Sequence, residues 1–248
     1  MKNILTYLGG SNAYGLATPT SDKDVRGIFM HTDMSYVIGL NRHEHQENIA
    51  EGADEKFKEV RHFLCLLRKA NTEALEALFL NPKDAISFEP EMQMIWSKRE
   101  KLLDSAKLFS CLMGYMQGEL RLANGERTGK LGGKRKAQID KYNFSPKNFC
   151  NLFRLAWCGT RFFERGYFPV NVMKEDESFG KLLLEIKTQP QNFTKDSLNS
   201  NAALFEQALK TAFNNRDKTY VFDLVAANRL CLDIYIYGDS INQAWLNA

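Results

Sequence analysis

Long apolar runs are absent from this chain. No stretch approaches the roughly 18 consecutive apolar residues that a bilayer-spanning helix needs, and the segment Met1 to Leu8 is too short and too soon followed by glycine to act as a secretory signal. The expectation is a cytoplasmic protein with no membrane partner. The five cysteines, Cys65, Cys111, Cys150, Cys158 and Cys231, are odd in number and scattered. With no Cys-x-x-Cys pair, the usual zinc and dithiol signatures are excluded, and the thiols read as reduced, mostly buried small hydrophobes. Histidine is scarce, and only His43-x-His45 has a spacing of interest to a metal. Lacking cysteine support, that pair reads as part of a solvated loop. Internal repeats and low-complexity tracts are also missing. The net charge of +3 is too small to demand a nucleic-acid partner. Its distribution is uneven, however: Arg127, Lys130, Lys134, Arg135, Lys136 and Lys141 form the most cationic stretch, diluted only by Asp140.

What is present is an ordinary globular composition, 44% hydrophobic over 248 residues. The first sixty residues alternate short apolar runs with turn residues, which predicts strands at Ile4 to Leu8, Val25 to His31 and near Asp54 to Lys58. Helical spacing begins at Val60-x-x-Phe63-Leu64-x-x-Leu67 and resumes at Ala74 after a break at Asn71-Thr72. Beyond Pro82 and Pro90 the pattern predicts helices over Met92 to Arg99, Ser105 to Leu122, Pro146 to Arg165, Phe179 to Lys187, Asn201 to Phe213 and Val221 to Tyr237. Gly125 to Gly133 and Thr188 to Ser200 read as loops, the first of them mobile.

The segment that points to chemistry runs from Gly10-Ser11, at the end of the first strand, to Asp22-x-Asp24, at the start of the next. In an extended chain alternate side chains share a face, so Asp22 and Asp24 project together. Adjacent carboxylates repel unless a cation lies between them, and a hard cation such as Mg²⁺ prefers oxygen ligands, typically one or two carboxylates plus substrate phosphates. Glycine permits close approach of backbone to phosphate, and the serine hydroxyl adds a donor. Against this stands a plainer reading, a turn capped by Ser21 and Asp22 with Asp24 as a surface charge. Arg26, two positions on, falls on the same face, where it either contacts phosphates or forms a simple salt bridge with an aspartate.

Gly10-Ser11 followed by Asp22-x-Asp24 resembles the signature of the DNA polymerase beta-like nucleotidyltransferase superfamily. Tyr14-Gly15, Ser21-Asp22, Asp24 and Arg26-Gly27, then Asp54, Glu59 to Phe63, Asn71 and Leu75-Glu76, are similar to the branch labelled RNA-repair-pathway nucleotidyltransferases. The likeness continues weakly through Gly133 to Tyr142, Asn151-x-x-Arg154-Leu155 and Gly166 to Pro169. It departs from the family pattern at Asn151, where histidine is usual.

The resemblance implies an α+β fold, with a small mixed-sheet catalytic domain over residues 1–85 and a helical domain over 86–248 closing the nucleotide cleft. It implies transfer of a nucleoside monophosphate from a nucleoside triphosphate to an acceptor hydroxyl, an RNA 3′ end among the candidates, with release of pyrophosphate. Asp22, Asp24 and Asp54 would be the catalytic and metal-binding acids for Mg²⁺ or Mn²⁺, with Asp54 preferred to its neighbour Glu55. Gly10, Ser11, Arg26, Lys134, Lys136, Lys141, Tyr142 and Arg154 would bind nucleotide, the Lys134 to Lys141 group alternatively serving an acceptor strand. For Arg154, on an otherwise apolar helix, the bland alternative is a core-edge arginine with a buried partner. Two other readings remain open from sequence: a nucleotide-binding regulator without turnover, and a toxin-antitoxin-type nucleotidyltransferase that modifies a protein.

Overall fold

A computed structural model describes residues 1–40, 45–50, 53–126 and 133–246. In chain order the elements are β1 (Lys2–Leu8), α1 (Gly10–Ala13), β2 (Lys23–Met30), α2 (Ser35–Ile38), β3 (His45–Ala50), β4 (Ala53–Glu59), α3 (Val60–Arg68), α4 (Thr72–Phe79), β5 (Ala85–Phe88) and α5 (Pro90–Ser97). There follow α6 (Ser105–Ala123), α7 (Gly133–Tyr142), α8 (Pro146–Arg165), α9 (Val172–Glu175), α10 (Glu177–Thr188), α11 (Lys195–Asn214) and α12 (Leu224–Leu246). The fold is α+β, a mixed sheet near the start followed by helices.

Contacts divide the chain into two compact units, Met1–Asp104 with Tyr220–Ala248, and Ser105–Thr219. The first division falls later than the expected 85/86. The reason is β5, unrecognised in the sequence because Ala85–Phe88 is short: it pairs antiparallel with β1, Phe88 opposite Leu5. α5 then packs on β1, and α12 returns to pack on α5 and α3, which carries the chain's last segment back to the sheet.

In the first unit the five-stranded sheet has the order β3-β4-β2-β1-β5. β2 lies at its centre, antiparallel to β1 and parallel to β4, with Asp24 opposite Asp54 and Arg26 opposite Lys56. A central strand covered on both faces is expected to become uniformly apolar where it is buried. Accordingly β2 is buried from Gly27 to Met30 while its first half, Asp24 to Arg26, stays partly open. Ile4, Leu5, Ile28, Phe29, Phe63, Leu67, Leu75 and Leu78 make up much of this core.

α3 is started by Glu59, whose carboxylate accepts from the Arg61 and His62 amides at 3.0 and 3.2 Å, satisfying donors that the first helical turn leaves open. Asn71 caps α4 in the same way through Ala74 N. The break read at Asn71-Thr72 is therefore a helix start. The buried Glu59 carboxylate also accepts from Tyr235 Oη of α12. Burial first, and then this hydrogen bond, push the Tyr235 phenol well above its ordinary value near 10.

The second unit is helical. α8 packs against α6, α10 and α11, with Phe144, Phe149, Phe153, Phe162 and Leu209 essentially without exposure. Ser145 Oγ donates to Asn148 Oδ1 at 2.7 Å, and Asn148 Nδ2 donates to Glu119 Oε2 at 2.6 Å, tying the start of α8 to α6. Three expectations are corrected here. Thr188 to Ser200 is not one loop, because Thr194 and Ser197 form a reciprocal capping box that starts α11 at Lys195. Gly133–Tyr142, over which no helix was expected, forms α7, whereas of the expected loop Gly125 to Gly133 residues 127–132, with Arg127 and Lys130, lie outside the described residues, as does His43. Only Cys150 and Cys158 of the five cysteines are buried, and Cys65 is exposed. Burial pushes the Cys150 thiol up to about 12, which makes it a packing group rather than a nucleophile.

Candidate active site

The mouth of the sheet beside β1, β2 and β4 brings together most of the acids and glycines singled out in the first unit. Parallel in-register neighbours share a face, so Asp24 and Asp54 stand side by side with Arg26 and Lys56 one step further along the same face. Tyr7 of β1 lies opposite Arg26 and joins that face. Among the described residues, the buried Asp54 Oδ1 has no hydrogen-bond partner to compensate its desolvation.

The loop from β1 into α1 closes over this edge. Gly9 N donates to Asp24 O at 2.7 Å, and Asn12 Nδ2 donates to Asp22 O at 3.1 Å, bracing the two segments of the motif against each other. Gly10 has φ +58, and a Cβ there would collide with Asp24 Oδ2. A Cβ on Gly9 would lie 2.5 Å from Arg26 Cγ. Both glycines are thus needed for the approach of the loop to the Asp24 and Arg26 side chains. Ser11 is half-buried in the same turn. Ser21 does close a turn of the kind weighed above, its Oγ accepting from Thr18 N at 2.9 Å, but Asp22 lies past that turn and is exposed.

Arg26 is the hub of the charges. Its Nη1 donates to the carbonyls of Val25 and Asp54 at 3.1 and 3.0 Å. Its Nη2 lies 3.5 Å from Asp24 Oδ1 and 3.4 Å from Asp54 Oδ2, and its Nε lies 3.4 Å from Glu73 Oε1. Of the two readings offered for Arg26, phosphate contact or a salt bridge with one aspartate, the second falls short, since the side chain bridges two. Lys56 Nζ stands 3.2 Å from Asp54 Oδ2, and Lys58 Nζ 2.7 Å from Glu73 Oε1. One turn further along α4, Glu76 accepts from Tyr14 Oη at 3.0 Å. Burial first, then the Glu76 and Glu73 carboxylates, push the Tyr7 phenol well above its ordinary range. A buried neutral tyrosine therefore floors the site.

Glu73, Lys56, Lys58, Asn12 and Tyr7 were not singled out in the sequence. Lys56 and Lys58 were legible in principle, since they alternate with Asp54 in a strand and so share its face. Glu73 carries no such signal, because nothing local says which strand α4 faces.

The acids do not all converge. Among the described residues no group of three or more histidine, cysteine or carboxylate side chains is spaced to hold a metal ion. Asp24 and Asp54 are paired by register, while the exposed Asp22 is not drawn into a three-acid cluster with them. The donor set that fits a hard cation is accordingly the all-oxygen pair Asp24 and Asp54, with the unpartnered Asp54 Oδ1 as an open ligand atom.

A protein-family model, the RNA repair pathway DNA polymerase beta family, matches residues 2–156. The chain belongs to this family. It is thereby placed among the polymerase beta-type nucleotidyltransferases. No curated protein and no solved structure matches it significantly. The match takes in the whole site just described and runs on into α8.

The remaining expected nucleotide-binding residues belong to the second unit. Lys136 and Lys141 are exposed on α7, and Lys134 is on the same helix. Lys141 Nζ sits 4.8 Å from the centroid of the Tyr142 ring, so one face of that ring already carries a cation. Arg154 is only 4% exposed and donates to the half-buried Asn151 Oδ1 at 3.0 Å, on the helix it shares with that residue. Among the described residues, no helix is long and apolar enough to cross a membrane.

Proposed function

We propose that this family member transfers a nucleoside monophosphate from a nucleoside triphosphate to an acceptor hydroxyl, an RNA 3′ end being the acceptor that the family's name suggests, with release of pyrophosphate. The observation that carries the reading is the in-register pairing of Asp24 and Asp54 beneath the Gly9-Gly10-Ser11 loop. In it, Asp24 and Asp54 would hold Mg²⁺ or Mn²⁺, and Asp22, exposed at the rim, would join when substrate brings further oxygens. A divalent cation bound there would supply charge stabilisation at the phosphates and lower the pKa of the attacking hydroxyl.

The chain's own groups do the rest. Gly10 allows the loop backbone to lie against Asp24, where Ser11 Oγ offers a donor to the terminal phosphates. Arg26 presents a fixed positive charge beside them, and Asp54 would help to take up the hydroxyl proton. Lys134, Lys136, Lys141 and Tyr142 would serve nucleotide or acceptor from α7, and Arg154 would support α8 from within.

Incubation with α-labelled triphosphates, Mg²⁺ and total RNA tests this. The expected outcome is RNase-sensitive label in the RNA fraction, lost about 100-fold or more in Asp24→Asn, the scale on which removal of one electrostatic contact at a reacting centre is felt. The fold of that variant should stay within about 1 kcal/mol of the parent, since a partly exposed charge beside a like charge is being removed. Label that resists RNase and travels with protein would reassign the acceptor. Absence of label from every fraction would reduce the chain to a nucleotide binder.

A further inference from the structure

The two in-register aspartates are faced by cations of the chain itself. Arg26 Nη2 reaches both carboxylates at 3.4 and 3.5 Å, and Lys56 Nζ reaches Asp54 at 3.2 Å. Lys58 is assigned elsewhere, to Glu73 at 2.7 Å. The pair Asp24 and Asp54 therefore stands beside two positive charges, which also face Glu73, 3.4 Å from Arg26 Nε, and Glu47, 3.7 Å from Lys56 Nζ.

The quality of these contacts matters. Charge-assisted hydrogen bonds that truly hold a carboxylate run at roughly 2.7–2.9 Å. Those from Arg26 to the aspartates are longer, while its contacts to the carbonyls of Val25 and Asp54 are of ordinary length at 3.1 and 3.0 Å. Its stem, moreover, is covered by Gly9. Arg26 is thus fixed by backbone, and it loads the carboxylates with opposing charge while making a long hydrogen bond of 3.4 Å to Asp54 Oδ2. Asp54 Oδ1 stays unpartnered.

Resting on the reading above, we propose that Arg26 and Lys56 are built-in counter-ions that prevent the Asp24–Asp54 pair from capturing a free divalent cation, so that the cation enters together with the triphosphate as one complex. A free cation meets oxygen ligands whose charge is already partly countered. A metal–triphosphate complex brings its own negative charge for Arg26 and Lys56 to face, and the carboxylates are released to the cation. The binding of cation and of triphosphate is then positively coupled, and by linkage each strengthens the other equally.

The test is Mn²⁺ titration of the nucleotide-free protein, read by electron paramagnetic resonance, for the parent chain and for Arg26→Gln, Lys56→Gln and Lys58→Gln. Arg26→Gln and Lys56→Gln should each bind Mn²⁺ about tenfold more tightly, a coupling of ordinary size. Lys58→Gln, which removes the same charge from a neighbouring position, should change it less than about twofold, as a charge paired elsewhere does. Asp24→Asn with Asp54→Asn should abolish the tightening.

Unchanged or weaker Mn²⁺ binding in Arg26→Gln overturns the proposal and leaves the transferase reading intact. So does equal tightening in Lys58→Gln, which would reduce the effect to bulk charge. Absence of Mn²⁺ binding in every variant, with nucleotide present or not, overturns both. Should Arg26→Gln fail to fold, the parent protein still decides. Its Arg26 Nε–H resonance should stay put on Mg²⁺ addition alone and shift when Mg²⁺ and a nonhydrolysable triphosphate are added together. A shift with Mg²⁺ alone refutes the counter-ion role.

Discussion

Asp24 answers to two constraints that meet at a single residue, Gly10. Its carboxylate must lie beside Asp54, and its Oδ2 occupies the space that any side chain at position 10 would claim. Gly10→Ala is therefore a more informative change than its size suggests. The positive φ alone costs an alanine about 1–2 kcal/mol, and the methyl group must also displace Asp24 Oδ2. The expected outcome is a lowered thermal midpoint together with loss of nucleotidyl transfer, whereas Asp24→Asn loses transfer with the midpoint nearly kept. Calorimetry beside the labelling assay separates the two. The pairing of carboxylates by strand register could be anticipated only in part: alternation along one strand put Asp22, Asp24 and Arg26 on a face, and Asp54 was read at the start of another strand. That β4 runs parallel to β2, and in the register that sets Asp54 opposite Asp24, is a property of the assembled sheet.

At the scale of elements, the contact between α12 and the β4–α3 junction joins the end of the chain to the sheet through one hydroxyl. Tyr235 donates to a Glu59 carboxylate that also caps α3 and accepts from Arg61 Nε at 3.1 Å. Removal of that donor in Tyr235→Phe leaves a buried charged acceptor short of a partner, and about 2 kcal/mol of stability should be lost at neutral pH. The pH dependence has a definite sign. With the folded-state value raised above the ordinary value near 10, the phenol is neutral in both states below pH 10 and its contribution is complete there. Above pH 10 the unfolded chain ionises first, so stability falls as pH rises. Denaturant unfolding from pH 8 to pH 11 should show this fall in the parent and a narrowed gap to Tyr235→Phe, with the Tyr7 contribution common to both. Helical spacing revealed α12 as a helix beginning near Val221. It had no means of revealing that α12 belongs with a sheet formed over a hundred residues earlier.

For the whole molecule, the sharing of one unit between Met1–Asp104 and Tyr220–Ala248 has a consequence for fragments. Residues 1–104 alone lack α12, which covers α3 and α5, and should be molten or insoluble. The same fragment joined by a short flexible linker to residues 220–248 should melt cooperatively, as far-ultraviolet circular dichroism would register. Charge is the second property of this scale. A net +3 is modest, and a large part of it is the exposed cationic α7. If Lys136 and Lys141 meet the phosphates of an acceptor strand, Lys136→Gln and Lys141→Gln should each weaken RNA binding without altering base preference. Each should also lower the slope of log affinity against log salt by about one. An unchanged slope assigns α7 to solvent.

The amino-acid sequence by itself determined the positions of most helices and the Gly-Ser and Asp-x-Asp motifs, because each of these is written in short-range spacing: period two in strands, period three to four in helices, and glycine where backbone must pass close to a side chain; the fold class and the family followed from the resemblance those motifs carry. The tertiary structure alone decided that Asp54 stands in register beside Asp24, that Glu73, Lys56 and Lys58 complete the charge network around Arg26, and that the last helix packs with the first unit. These are matters of strand order, register and chain return. They depend on contacts between segments far apart in sequence, for which no local pattern carries a signal.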